Sequence, residues 1–351
     1  MKFSIGLLLV LSSSLPAQQA VPEIKFDSVP NPLKLPADIH LGEVSGVAVN
    51  SKGHVFVFSR GNSTGPAYGA TAAQLLEFGP DGKYLREIGK NLYAWSYAHA
   101  VRVDKDDNIW AIDKGSDMII RFNPEGHVTM VFGRKKEASD EAAPWTRTTP
   151  PRPALNGQFR QPTDVTWDTQ GNIFLSDGYI NSRVAKYDKT GRWVKQWGDR
   201  GSKPGEFNTP HSIAADAKGN IYVADRGNRR VQVFDPDGTF QREIKIEVPV
   251  PPDVQPWMGA MPTPQSAAAQ SGTPWAICIT PGPTQYLYSS DAYPGRVYKL
   301  SLDGTVLGML GTSGRQLKEF GWIHEIACPS ENVLYVAELL NWRVQKLLLH
   351  P

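Results

Sequence analysis

Three of the seven histidines in this chain, His99, His211 and His324, share one local setting. Each stands two residues before a Val or Ile inside an apolar, alternating segment: His-Ala-Val at 99–101, His-Ser-Ile at 211–213 and His-Glu-Ile at 324–326. Three neutral imidazoles with an open fourth position form a recognised catalytic zinc arrangement. For that chemistry the three must leave distant parts of the chain and meet at one point. The other four do not share the setting. His54 and His127 fall in turns, His40 precedes the pattern and His350 is at the C-terminus.

A repeat can bring such residues together. Six stretches align, beginning at Val44, Ala98, Thr163, His211, Trp275 and His324. Each has an apolar alternating strand, a turn that in the middle units reads Asp-x-x-Gly-Asn or Asp-Lys-Asp-Asp-Asn, and a second strand ending near an acid. A third strand follows, such as RVAKYD at 183–188 or RVQVFD at 230–235, and then a fourth, such as WVKQW at 193–197. Four short strands repeated six times predict an all-β fold, a six-bladed β-propeller with the first strand of each blade innermost. The last unit ends after its third strand, at Leu347 to Leu349. The segment Ile24 to Val29 is expected to supply the missing strand and close the ring, which removes exposed edges.

The column that holds the histidines reads Ser45, His99, Thr163, His211, Trp275 and His324. Alternate blades of a six-bladed ring lie about 120° apart around the axis, so the column predicts three imidazoles converging on the channel. The plainer reading is that they line it through water, without metal. A second column, at the end of the second strand, holds Arg60, Lys114, Gly178-Tyr179, Arg226 and Ala292-Tyr293. Cations and phenols at the same mouth suit a substrate bearing a carboxylate. Salt bridges to Asp113, Asp177 or Asp225 are the structural alternative.

The formal net charge of +2 gives no field that would attract nucleic acid. Met1-Lys2, the apolar run Phe3 to Leu11 and the small residues Ala17 and Ala20 read as a signal peptide over 1–20, and no later stretch is long and apolar enough to span a bilayer. The expectation is a secreted or periplasmic protein, monomeric, with one propeller domain over 21–351 and insertions at 134–161 and 246–273. The insertions read equally as tolerated loops and as rims of a substrate cleft. The two cysteines, Cys278 and Cys328, cannot form a cysteine-rich zinc site. They sit one position apart in phase in their aligned strands, which places them on opposite faces of their sheets and predicts no essential bridge.

Several runs carry a family likeness: DGYINSRVAKYDKTGRWVKQWG, EFNTPHSIA and YVADRGNRRVQVF, with FSRGN before and IHEIA after them. Together they resemble peptidyl-α-hydroxyglycine α-amidating lyases (peptidylamidoglycolate lyases), built from NHL-type repeats. The resemblance implies zinc on His99, His211 and His324, and catalytic roles for Arg60, Tyr179 and Arg226. It also implies a structural calcium held by the backbone carbonyls of Val47 and Val101 and the carboxylate of Glu325. The implied reaction cleaves the N–Cα bond of a C-terminal α-hydroxyglycine to an amide and glyoxylate. The chain departs from the family pattern at Trp322-Ile323-His324-Glu325, where the family has Met-Pro-His-Asp. Ile180 and Tyr222 stand at two of the family's cysteine places. No residues are left for a copper monooxygenase domain, so a hydroxylated peptide would come from another protein. A related metal-dependent hydrolase or lactonase, and a metal-free NHL binding scaffold, are the competing expectations.

Overall fold

The computed structural model describes residues 21–61, 73–135, 155–254 and 270–350. The signal-peptide segment and most of both insertions lie outside these residues.

Six four-stranded antiparallel sheets follow one another along the chain. Their innermost strands are Val44–Val49, Ala98–Val103, Asp164–Trp167, Pro210–Ala215, Ala276–Ile279 and Ile323–Ser330, in blades one to six. Each innermost strand packs against the next, and the sixth packs against the first, so the sheets close into a ring. The sixth blade is completed by Lys25–Val29, which pairs with Arg343–His350 in the register Lys25↔His350 to Val29↔Lys346. This is the closure anticipated from the missing strand. The segment just before it reaches blade five, where Ile24 N–H donates to the carbonyl of Met309 at 2.8 Å.

Apolar side chains on facing surfaces of adjacent blades make the core. Ala100, Trp110 and Ile112 of blade two pack with Val165, Ile173 and Leu175 of blade three. In blades two to four the turns after the first strands are set by aspartate. Asp168 Oδ1 accepts from the amides of Gln170 and Asn172, both at 2.9 Å, and Asp216 Oδ1 accepts from Lys218 and Asn220 at the same distance. Gly171 and Gly219 take the left-handed conformation those turns require.

The cysteines do pair, although the sequence reading of their opposite phase argues against an essential bridge. Cys278 and Cys328 form a disulfide with a Cα–Cα distance of 6.2 Å. Their opposite phase is what allows it. In a ring of stacked blades, one face of blade five meets the opposite face of blade six. Both cysteines belong to the apolar cluster between those blades, with Ala276, Tyr288, Ile326 and Val336.

A candidate metal centre at one mouth of the channel

The three histidines lie on innermost strands two blades apart and are nearly fully buried. Their ring centroids form an almost equilateral triangle with sides of 4.7, 4.8 and 4.9 Å. One nitrogen from each comes within 4.8 Å of the other two.

The opposite ring nitrogens follow one rule. His99 Nδ1 is 2.7 Å from the carbonyl of Thr163, His211 Nδ1 is 2.7 Å from that of Trp275, and His324 Nδ1 is 2.8 Å from that of Ser45. The three carbonyls belong to the same alignment column, each in the following blade. A carbonyl only accepts, so every Nδ1 carries the proton and every Nε2 keeps a lone pair. Burial, then neighbouring imidazoles and cations, hold all three well below the usual histidine range, so they are neutral. Neutral imidazoles with oriented lone pairs and backbone acceptors behind them are the donor set that zinc takes. The residues therefore fit a divalent transition metal.

The second column is placed beside the first by a repeated backbone bond. The amides of Arg60, Lys114, Tyr179 and Arg226 donate to the carbonyls of Glu43, Tyr97, Gln161 and Thr209 at 2.9, 2.9, 3.4 and 3.3 Å. Just before each stands the last residue of the second strand or, in the case of Tyr179, the residue one further back. These residues, Ser59, Asp113, Asp177 and Asp225, accept from backbone amides upstream of the innermost strand, at Gly42, Ser96, Arg160 and Asn208. Asp177 and Asp225 also pair with Arg183 and Arg230 of the third strands. The acids thus fasten loops, and the mouth-facing cations have other partners. Arg60 Nη1 pairs with Glu43 at 2.8 Å and its Nε donates to the carbonyl of Ala98 at 2.9 Å.

Tyr179 is the second-column side chain that enters the triangle. Its hydroxyl lies 3.1 Å from His211 Nε2, 3.3 Å from His99 Nε2 and 3.5 Å from Arg226 Nη1. Gly178 makes this possible, because a Cβ there would lie 1.9 Å from the carbonyl of Pro210. Lys114 Nζ stands 4.1 Å from the centre of the Tyr179 ring. Burial opposes ionisation of this phenol, yet Arg226, Lys114 and Arg60 outweigh it and bring its pKa below the ordinary tyrosine range. Arg226 stacks 4.1 Å from the Trp275 ring centre, and its Nε is buried with no hydrogen-bond partner among the described residues.

Sequence reasoning missed Tyr97 and Glu43, and it named Gly178 without a reason for glycine there. Tyr97 stacks 4.1 Å under Arg60. Its signal was available, since it stands two residues before His99. Tyr293, grouped with Tyr179 from the sequence, turns its hydroxyl to the carbonyl of Val254 at 3.3 Å. Trp322 packs 4.7 Å from Trp275 in a left-handed backbone conformation that is costly for a bulky residue.

The calcium ligand set implied by the resemblance does not fit. Glu325 Oε2 accepts from the amides of Val47 and Val101 at 2.9 and 3.0 Å, and its Oε1 lies 3.0 Å from Arg102 Nε. Glu325 thus faces the amides rather than the carbonyls of Val47 and Val101, and its Oε1, though beside a guanidinium, accepts no hydrogen bond among the described residues.

The fold and this mouth define a six-bladed β-propeller with a tri-histidine centre. Residues 207–234 match the NHL repeat family. The chain is related, at modest identity over most of its length, to proteins named as amidating lyases. It is 25% identical over 340 residues to peptidyl-alpha-hydroxyglycine alpha-amidating lyase 1 of Drosophila melanogaster, a match covering 89% of this chain and 58% of that protein. It is 32% identical over 229 residues to peptidylglycine alpha-amidating monooxygenase of Rattus norvegicus, covering 58% of this chain and 22% of that one. The chain thus spans well under two thirds of these relatives. Among solved structures, virginiamycin B lyase from Staphylococcus aureus matches with a TM-score of 0.56 at 14% identity, over 93% of this chain and 100% of that one. At that identity the likeness concerns the fold alone. Among the described residues, no helix is long and apolar enough to cross a membrane.

Proposed function

We propose that this propeller is a metal-dependent carbon–nitrogen lyase that cleaves a C-terminal α-hydroxyglycine, or a similar carbinolamide, to an amide and glyoxylate. The observation that carries this reading is the Tyr179 hydroxyl, 3.1 and 3.3 Å from two of three convergent imidazoles and surrounded by Arg226, Lys114 and Arg60. The names of the relatives at modest identity support the same class.

A zinc ion on His99, His211 and His324 would supply Lewis-acid polarisation of a substrate oxygen. The chain's own groups do the rest. Tyr179, with its pKa lowered by the cations, removes the proton of the α-hydroxyl. The O–H electrons form the aldehyde carbonyl as the N–Cα bond breaks. The departing amide nitrogen takes a proton back from Tyr179, so no atom is gained or lost. Arg226, whose Nη1 lies 3.5 Å from the Tyr179 hydroxyl, would hold the substrate carboxylate, which becomes that of glyoxylate. Arg60, paired with Glu43, lies on Tyr97 and adds its charge to those that lower the Tyr179 pKa. We also propose export, since an oxidising compartment would keep the Cys278–Cys328 bridge.

The test is glyoxylate release from a synthetic N-acyl-α-hydroxyglycine, measured with zinc and with chelator. Release that needs the metal supports the reading. No release on any acyl variant, from protein that holds zinc stoichiometrically, overturns it.

A further inference from the structure

Below the histidines, one side chain joins blade to blade around the whole axis. Arg102, on the innermost strand of blade two, points into the channel and is 13% exposed. Its Nε and Nη2 form a two-pronged pair with Asp164 of blade three, at 2.9 and 2.6 Å. Nη2 also lies 3.2 Å from Ser212 Oγ of blade four and 3.3 Å from the carbonyl of Ile277 of blade five. Nη1 donates to the carbonyl of Ile326 of blade six at 3.0 Å, and Nε stands 3.0 Å from Glu325 of the same blade. Glu325 completes the circuit by accepting from the amide of Val47 in blade one. Gly46 leaves room for this, because a Cβ there would lie 2.7 Å from Glu325 Oε2. Asp164 and Glu325 are each 2% exposed.

We propose that the Arg102 guanidinium is the axial cation of this propeller, standing where the resemblance places calcium, and that the ring needs no calcium to hold together. Calcium requires 6–8 oxygen ligands at about 2.3–2.6 Å. Here the guanidinium holds the carbonyls of Ile277 and Ile326 and the Asp164 carboxylate by hydrogen bonds and lies 3.0 Å from Glu325 Oε1, which accepts no hydrogen bond among the described residues. The groups aimed at Glu325 from blades one and two are amide N–H donors, which repel a cation. A divalent ion among these groups would also sit against the permanent positive charge of Arg102. Five fixed donors in one plane suit a guanidinium to acceptors arriving from several directions.

The test uses the mature protein, stripped with chelator and then reloaded with zinc. Its melting temperature is measured with and without millimolar calcium, and the calcium content of protein as purified is measured by elemental analysis. The expected result is a shift below about 1 °C and sub-stoichiometric calcium. A rise of several degrees, or stoichiometric calcium, overturns the proposal. Arg102→Ala is expected to lower the melting temperature by roughly 10 °C, as a broken buried pair does. An unchanged value would also overturn it. Should that variant fail to fold, the calcium measurements on the unmodified protein still decide.

Discussion

Tyr179 occupies a position that a metal ligand or a substrate could also claim, between two imidazoles and below three cations. Its role can be separated from theirs. Tyr179→Phe keeps the ring and removes the hydroxyl, so turnover is expected to fall about 10²–10⁴-fold while zinc content stays at the wild-type level. Steady-state kinetics and elemental analysis on one sample check both halves. The imidazoles carry a pH signature of their own. Each is held neutral in the folded chain, well below the usual value, whereas in the unfolded chain it takes a proton near pH 6.5. The unfolded state therefore binds more protons as pH falls. Stability of the metal-free protein is expected to be full above about pH 6.5 and to decline below it. Thermal melts in chelator from pH 8 to 5 would show this, with a shallower decline in His211→Gln. An equal slope in the two proteins would count against neutral histidines.

At the scale of strands, the blade pattern was readable because period-2 alternation recurs six times, with Asp-led turns in the middle units, and recurrence separates a signal from chance. The histidine column followed from the same count. Two features were not readable, and for different reasons. Arg102 sits at an ordinary polar slot of an alternating strand, and nothing local says that its guanidinium crosses the axis. The cysteine pairing was hidden by treating each sheet alone, whereas neighbouring blades meet through opposite faces. Cys278→Ser is now expected to cost about 2–4 kcal/mol, the usual effect of losing a bridge that closes a loop of this kind, read by denaturant titration. The N-terminal strand should matter at least as much. Removing residues 21–32 strips the edge of blade six and its contact with Met309 in blade five. A fall in melting temperature of more than about 10 °C is expected, and an unchanged value would show that the ring closes without this strand.

At the scale of the molecule, both of these fastenings lie at the end of the ring where the chain begins and finishes. The disulfide joins blades five and six, and the N-terminal strand touches the same two. The metal centre is spread around the circle, with ligands from blades two, four and six. Zinc that binds only the folded ring should raise the melting temperature in proportion to the logarithm of its concentration. The gain is about 4 kcal/mol at a thousand times its dissociation constant. Differential scanning calorimetry across a zinc series checks this, and His324→Ala is expected to abolish the rise.

The bonds from each histidine to the next blade's carbonyl lead further. His99 leans on Thr163, His211 on Trp275 and His324 on Ser45. No imidazole is aimed by its own blade alone, so the triangle exists only while all six blades keep their spacing. The site thus works as a gauge of roundness. A distortion that spreads the circle anywhere would rotate at least one ring away from the axis, and grip on the ion would slacken before any strand came apart.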